Sequence, residues 1–152
     1  MARMTVHHRS GDAFDIEIRG HSLAVDQRGP DDEERGPTPV ELFVASLAAC
    51  AAHYAHRYLR DSDRPHQGMA VECEWLMRAG TPHAVGSVRL RVVTPAPLPA
   101  YARQQLLAAI DACTVQNSIR PPLPAVSVTV DDGSGADPIV AEELLHHASN
   151  VI

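Results

Sequence analysis

Aromatic side chains are scarce in this chain: one Trp, three Tyr and two Phe make up 4% of 152 residues. Ala, Val and Leu must therefore fill the interior. Basic residues are outnumbered, with 13 Lys plus Arg against 19 Asp plus Glu and a formal charge of −6. That balance excludes nucleic acid or an anionic membrane as the main partner. The acidic run Asp31-Asp32-Glu33-Glu34 reads as a solvated loop. Long hydrophobic runs are missing too. The longest, Leu42 to Ala52, falls short of the roughly 20 residues a bilayer span needs. The N-terminus, Met1-Ala2-Arg3-Met4-Thr5-Val6-His7-His8, has no apolar segment of the kind a signal peptide carries. Cysteine is rare: there are three, none near another in sequence. That excludes a CxxC metal or redox pair and argues against a disulfide framework. The expected compartment is the cytoplasm, where a disulfide is transient and catalytic rather than structural. No GxSxG elbow, phosphate-binding glycine loop, HExxH helix, internal repeat or low-complexity linker is present.

What is there is enough for one domain with a real core, 1–152, at 45% apolar residues. Met4 to Val25 reads as strands: Phe14, Ile16 and Ile18 alternate with Asp15, Glu17 and Arg19. Ser10-Gly11-Asp12 suits a hairpin turn, and His21 to Asp26 is compatible with a further strand. Residues 27–37 read as a loop. Thr38-Pro39-Val40-Glu41 then matches a capping box with Pro at the first helical position. The helix it opens is expected to run to about Arg60. Its first half is apolar on nearly every side, which predicts burial between layers or against a second subunit.

Met69, Val71, Cys73, Trp75 and Met77 alternate with Glu72 and Glu74, and Val88, Leu90 and Val92 with Arg89 and Arg91. Both read as strands with one core face. Pro95-Ala96-Pro97-Leu98-Pro99 breaks the chain before a second helix, from about Ala100 to Cys113. A last strand is expected over Ala125 to Val130. The tail from Pro138 to His147 is compatible with a short helix. The order β-β-(β)-α-β-β-α-β points to an α+β fold with mainly antiparallel pairing.

Thiol chemistry is the clear chemical signal. Cys50 closes Gly36-Pro37-Thr38-Pro39-Val40-Glu41-Leu42-Phe43-Val44-Ala45-Ser46-Leu47-Ala48-Ala49-Cys50, and Cys113 opens Cys113-Thr114-Val115-Gln116-Asn117-Ser118-Ile119. Two thiols about sixty residues apart that meet only in the fold suggest a redox couple. The alternative for each is a small buried hydrophobe, which is also the expectation for Cys73 in its strand. A reactive thiol must be a thiolate and needs a cation, a base or a helix N-terminus beside it. Cys50 lies three turns into its helix, too far in for the dipole. His53 and the arginines Arg9, Arg19, Arg28 and Arg35 are the candidates. Cys50, His53 and His56 are spaced at i, i+3 and i+6, so the outer two diverge by about 120° and suit no tetrahedral ion. His7-His8 and His146-His147 read as exposed polar doublets.

These segments resemble the OsmC-like family, which includes the osmotically inducible protein C group and the organic hydroperoxide resistance proteins. The resemblance rests on Gly36-Pro37-Thr38-Pro39-x-Glu41-Leu42, the small-residue run to Cys50, and Cys113-x-Val115-x-Asn117-Ser118. It covers about residues 3–131 and leaves the tail 132–152 outside. It implies an intertwined homodimer, with antiparallel sheets around two central helices and two sites near the dimer interface. It also implies a peroxidase mechanism in which Cys50 attacks an organic hydroperoxide and becomes a sulfenic acid. Cys113 resolves it as a disulfide, and a dithiol such as a lipoyl group reduces the pair. No metal, flavin or haem is implied.

The chain departs from the peroxidase pattern in two places. The peroxidases carry a glutamate directly after the proline, paired with an activating arginine. Here Val40 holds that position and Glu41 follows, about 100° further round the helix. The family's arginine belongs to the N-terminal hairpin, where Arg9 matches best. Many members read Cys-Pro where this chain has Cys113-Thr114. The chain is thus more similar to the less characterised OsmC-like branch. The expected function is a thiol-dependent peroxidase for alkyl or lipid hydroperoxides, with Cys50, Cys113, Arg9 and Glu41 as candidate site residues. The rivals are a non-enzymatic protein that binds a small hydrophobic ligand or senses redox state, and, last, a metal-dependent hydrolase using the histidines.

Overall fold

The computed structural model describes residues 2–27, 34–131, 133 and 139–142. Three antiparallel strands open the chain: β1 (Thr5–Ser10), β2 (Ala13–Ile18) and β3 (His21–Val25), in that spatial order. The turn between β2 and β3 has two residues, Arg19 at φ 49° and Gly20 at φ 80°. Two positive φ values give a turn whose twist matches that of the flanking strands. Phe14 pairs with Val25 and Ile16 with Leu23, so the apolar residues of β2 stand opposite apolar residues of β3.

Helix α1 (Pro39–Asp61) starts on the expected capping box: the Thr38 hydroxyl accepts from the Glu41 N–H, and the Glu41 carboxylate accepts from the Thr38 N–H. The approach to this start is fixed by two contacts with β3. Asp26 is buried and takes the Gln27 and Arg35 N–H groups at 2.8 and 3.2 Å, while its own N–H donates to the Pro37 carbonyl. Gly36 lies against the β3 backbone so closely that a Cβ there would sit 2.2 Å from the Ala24 oxygen. The Gly-Pro-Thr-Pro segment is thus a joint between sheet and helix.

Strands β4 (Ala70–Met77) and β5 (Val85–Val93) form a two-stranded sheet in which Cys73 faces Leu90 and Trp75 faces Val88. Helix α2 (Ala100–Asp111) packs on α1, and the short helix α3 (Thr114–Ser118) follows at once. The core lies between them. Ala51 and Ala55 of α1 meet Leu106 and Ile110 of α2, with Leu90, Val92, Met69 and Leu98 packed against them. Alanine on α1 is what lets the two helix backbones approach. Strands β6 (Ser127–Val130) and β7 (Ile139–Glu142) make a third antiparallel pair.

Four expectations need correction. The second helix ends at Asp111, not Cys113, because the chain turns at Ala112 to start α3. The helix expected from Pro138 to His147 gives way, over Ile139–Glu142, to a strand whose partner β6 is close enough in sequence to pair. Pro138 and residues 143–147 lie outside the described set, as do Arg28 and Asp31, Asp32 and Glu33 of the acidic run. Helix α1 is not buried all round in the single chain. One stripe is covered, Val44, Leu47, Ala51, Ala55 and Leu59, while Phe43 stays 41% exposed. The core face of β4 is likewise covered only in its first half, since Trp75, Leu76 and Met77 run past the helices into the open.

Candidate functional site

Cys50 stands beside the buried stripe of α1, one residue before Ala51, and is itself half-buried. Cys113 is entirely buried. Its N–H donates to the Ile110 carbonyl at 2.9 Å, its carbonyl accepts from Asn117 at 2.9 Å, and its Sγ accepts the Gln116 N–H at 3.4 Å. The sulfur is therefore the N-cap of α3. The packing of α3 on α1 brings the two thiols close enough for Cys50 to act on the titration of Cys113. Burial pushes the Cys113 thiol up from its ordinary value, and Cys50 pushes it the same way. The amides of Gln116 and Val115 pull it back.

A bridge runs beside the thiols. The Tyr54 hydroxyl, one turn on from Cys50, lies 3.3 Å from the Thr114 Oγ1. An apolar cavity of about 290 Å³ adjoins the pair, lined by Phe43, Leu47, Val88, Leu90, Gln116 and Ile119. Leu47 is one turn before Cys50, and Gln116 is the residue that bonds the Cys113 sulfur.

The other predicted residues are elsewhere in the chain. Arg9 binds Asp15 across β1 and β2. Arg19 forms the turn between β2 and β3. Arg35 donates to the Ser10 hydroxyl at 3.3 Å and its backbone to Asp26. Glu41 holds the α1 cap, accepting from both the N–H and the hydroxyl of Thr38. The structure thus unites Cys50 with Cys113 and ties Arg9, Arg35 and Glu41 to partners on the N-terminal sheet and its joint with α1. His53 is exposed with its ring against Tyr54, whereas the His56 ring meets His66 at 5.0 Å. Among the described residues, no group of three or more His, Cys, Asp or Glu side chains could hold a metal ion. Cys73 is half-buried on β4, and burial raises its thiol as well.

Sequence reasoning missed Arg120, a cation bonded into the loop that carries Cys113. Arg120 donates to Asp111 Oδ1 at 2.6 Å and to Asn117 Oδ1 at 3.0 Å, and it is raised in part by the charge on Cys113. With the second helix extended to Cys113, nothing marks Arg120; only the turn into α3 folds it back. Tyr54 was more accessible, since i+4 from Cys50 shares its helix face.

A sequence model described as OsmC-like protein matches residues 29–148. A comparison with curated proteins finds no match. Solved structures share the fold at low identity. A protein of Psychrobacter arcticus named for an osmotic stress and detoxification response is 20% identical, with TM-score 0.69, covering 81% of this chain and 91% of its own. An OsmC-like protein of Mycoplasma pneumoniae is 11% identical, with TM-score 0.69 and coverage of 80% and 89%. The organic hydroperoxide resistance protein OhrB of Bacillus subtilis is 22% identical, with TM-score 0.58 and coverage of 81% and 93%. Among the described residues, no helix is long and apolar enough to cross a membrane.

Proposed function

The chain belongs to the OsmC-like protein family, and from that premise we propose that it is a thiol-dependent peroxidase acting on organic hydroperoxides. The observation that carries this reading is the meeting of two free thiols about sixty residues apart in sequence, Cys50 half-buried and Cys113 buried, near enough for Cys50 to raise Cys113. The more accessible sulfur, Cys50, attacks. Its thiolate takes the distal peroxide oxygen, the O–O bond breaks, and the alkoxide leaves and takes a proton to become the alcohol. Cys50 is then a sulfenic acid. The Cys113 thiolate attacks that sulfur, the S–O bond breaks, hydroxide leaves, and the two sulfurs close as a disulfide. A dithiol, of the lipoyl type in this proposal, returns both thiols and ends as its own disulfide. The apolar cavity beside the pair favours alkyl or lipid peroxides over hydrogen peroxide.

Arg9 is the nearest match to the family's activating arginine, while the glutamate's position is held by Val40, and Glu41, one residue on, is the candidate in its place. The assembly belonging to this reading is a homodimer, in which a second copy covers the open face of α1, and the compartment is the cytoplasm. The test is turnover of cumene or tert-butyl hydroperoxide with dithiothreitol or dihydrolipoamide, with mass spectrometry for a Cys50–Cys113 disulfide. Cys50→Ser should abolish turnover, and full activity in that variant would sink the proposal.

A second reading, a protein that binds a small hydrophobic ligand or senses redox state, draws on one observation: burial pushes the Cys113 thiol up, away from the thiolate a fast resolving step needs. Intact thiols after hydroperoxide treatment, with an apolar fluorophore displaced from the cavity, would favour it.

A further inference from the structure

The peroxidase reading asks Cys113 to be two things that conflict. It is entirely buried, and burial disfavours the charged form. Yet only its thiolate can attack a sulfenic acid. Some group near Cys113 must offset the burial.

The loop around Cys113 is closed by a ring of bonds centred on Arg120. Nη2 of Arg120 donates to Asp111 Oδ1 at 2.6 Å, two residues before the cysteine. Nη1 donates to Asn117 Oδ1 at 3.0 Å, and the Arg120 N–H donates to the Asn117 carbonyl at 3.2 Å. Asn117 completes the ring: its Nδ2 donates to the Asp111 carbonyl at 3.2 Å, and its N–H to the Cys113 carbonyl at 2.9 Å. A guanidinium held at two fixed points on either side of Cys113 is pre-oriented, with little side-chain freedom left to lose.

We propose that Arg120, held by Asp111 and Asn117, is a positioning residue whose charge sustains the Cys113 thiolate in the resolving step. The inference rests on the peroxidase reading for its place in the cycle. Asp111 is the main cause that raises Arg120 and the charge on Cys113 is the least of its causes, while the Gln116 and Val115 amides act on the Cys113 sulfur directly. The groups around Cys113 are then accounted for. From α1 come the Cys50 thiol and, through Thr114, the Tyr54 phenol, with the His53 ring edge-on to that ring. The loop itself supplies Asp111 and Arg120. Of these, Arg120 is the permanent cation. The same charge acts again when a dithiol attacks Cys50 in the disulfide. The S–S bond breaks, Cys113 leaves with the electron pair, and a stabilised thiolate leaves faster.

The test isolates the thiol from the peroxide chemistry. In Cys50→Ser/Cys73→Ser protein Cys113 is the sole thiol, and its ultraviolet thiolate absorbance is titrated with pH. Adding Arg120→Gln should raise the titration midpoint by about half a pH unit or more, and Arg120→Lys should restore most of it. Asp111→Asn should lower the midpoint, because it removes a neighbouring negative charge. A ring that is merely structural would move both variants the same way. An unchanged midpoint in Arg120→Gln overturns the proposal, as does a shift of equal sign in Asp111→Asn. In the otherwise native chain, Arg120→Gln should slow disulfide closure about threefold or more, by the loss of thiolate, and increase Cys50 sulfinic acid at high peroxide. A shifted midpoint in a protein that turns over no hydroperoxide keeps the assignment of Arg120 and removes the peroxidase reading.

Discussion

The Tyr54 hydroxyl reaches the Thr114 Oγ1 across the junction of α1 and α3, beside the neighbouring thiols of Cys50 and Cys113. The two pairs are equivalent in layout. Each spans α1 and the start of α3, one with sulfur and one with oxygen. The resemblance to the OsmC-like family puts a proline at the position of Thr114, where this chain has a hydroxyl contact instead.

That exchange can be reversed. Thr114 is the first residue of α3, where proline's missing N–H is no loss. Cys113 has φ −57° and ψ 119°, a conformation compatible with a following proline. Thr114→Pro and Thr114→Val should therefore cost similar amounts, about 0.5–1 kcal/mol for one exposed hydrogen bond. Tyr54→Phe should cost the same, and adding it to Thr114→Val should cost nothing more. Urea unfolding of the four variants checks this; a further loss in the double variant would show that the two hydroxyls act independently.

Gly36 is the strictest position in the joint between β3 and α1. Gly36→Ala puts a methyl 2.2 Å from the Ala24 oxygen and 2.6 Å from its carbon, both backbone atoms that cannot turn aside. The expected loss is on the order of 2–4 kcal/mol, in the range of severe single substitutions. Gly68 is the control. Its φ of 80° disfavours a side chain, but nothing lies within 4 Å of the added methyl. Gly68→Ala should cost only about 1 kcal/mol. Thermal unfolding of both separates the collision from backbone strain; equal losses would mean the sheet yields at Ala24.

These residues show what the sequence made legible. The capping box, the α1 boundaries and the alternation of β2 follow from short-range chemistry, cap oxygens and period-two patterning, whereas the pairing of two distant thiols rests on the resemblance of their two segments to the OsmC-like family. The surroundings of Cys113 follow from neither. Whether a helix continues through Ala112 or turns there is decided by burial of the sulfur and by the ring from Asp111 to Arg120, contacts that no local pattern encodes. The strand Ile139–Glu142 was missed for a related reason, since its partner β6 is itself an exposed edge without a clear core face.

Glu41 offers a sharp choice between capping and catalysis. Its carboxylate accepts from the Thr38 N–H at 2.8 Å, so Glu41→Ala should cost about 1 kcal/mol of stability by loss of the box. Glu41→Gln can still accept that bond and should retain most of it. If Glu41 also orients an activating arginine, Glu41→Gln should lower peroxidase kcat/KM by about tenfold or more despite normal stability, through the lost carboxylate charge. Unchanged kcat/KM would confine Glu41 to the cap.

The buried thiols set the behaviour at high pH. Cys113 and Cys73 are both raised, chiefly by burial. An acid whose folded value lies above its unfolded one binds its proton more tightly when folded. Below the unfolded value, about 8.5, both states are protonated and the stability is fully present. Above it the unfolded chain releases its protons first, so stability falls as pH rises towards the folded values. The melting temperature should therefore drop between pH 8 and pH 10, by more than solvent-exposed groups alone produce. Cys113→Ala should flatten the part of this slope that comes from Cys113, at the cost of a lower plateau near neutrality, where the packing of the sulfur is lost. Cys73→Ala should flatten a further part. If the alkaline slope were the same in all three proteins, the thiols would not be its source, and the raised state of Cys113 that makes Arg120 necessary would go with it.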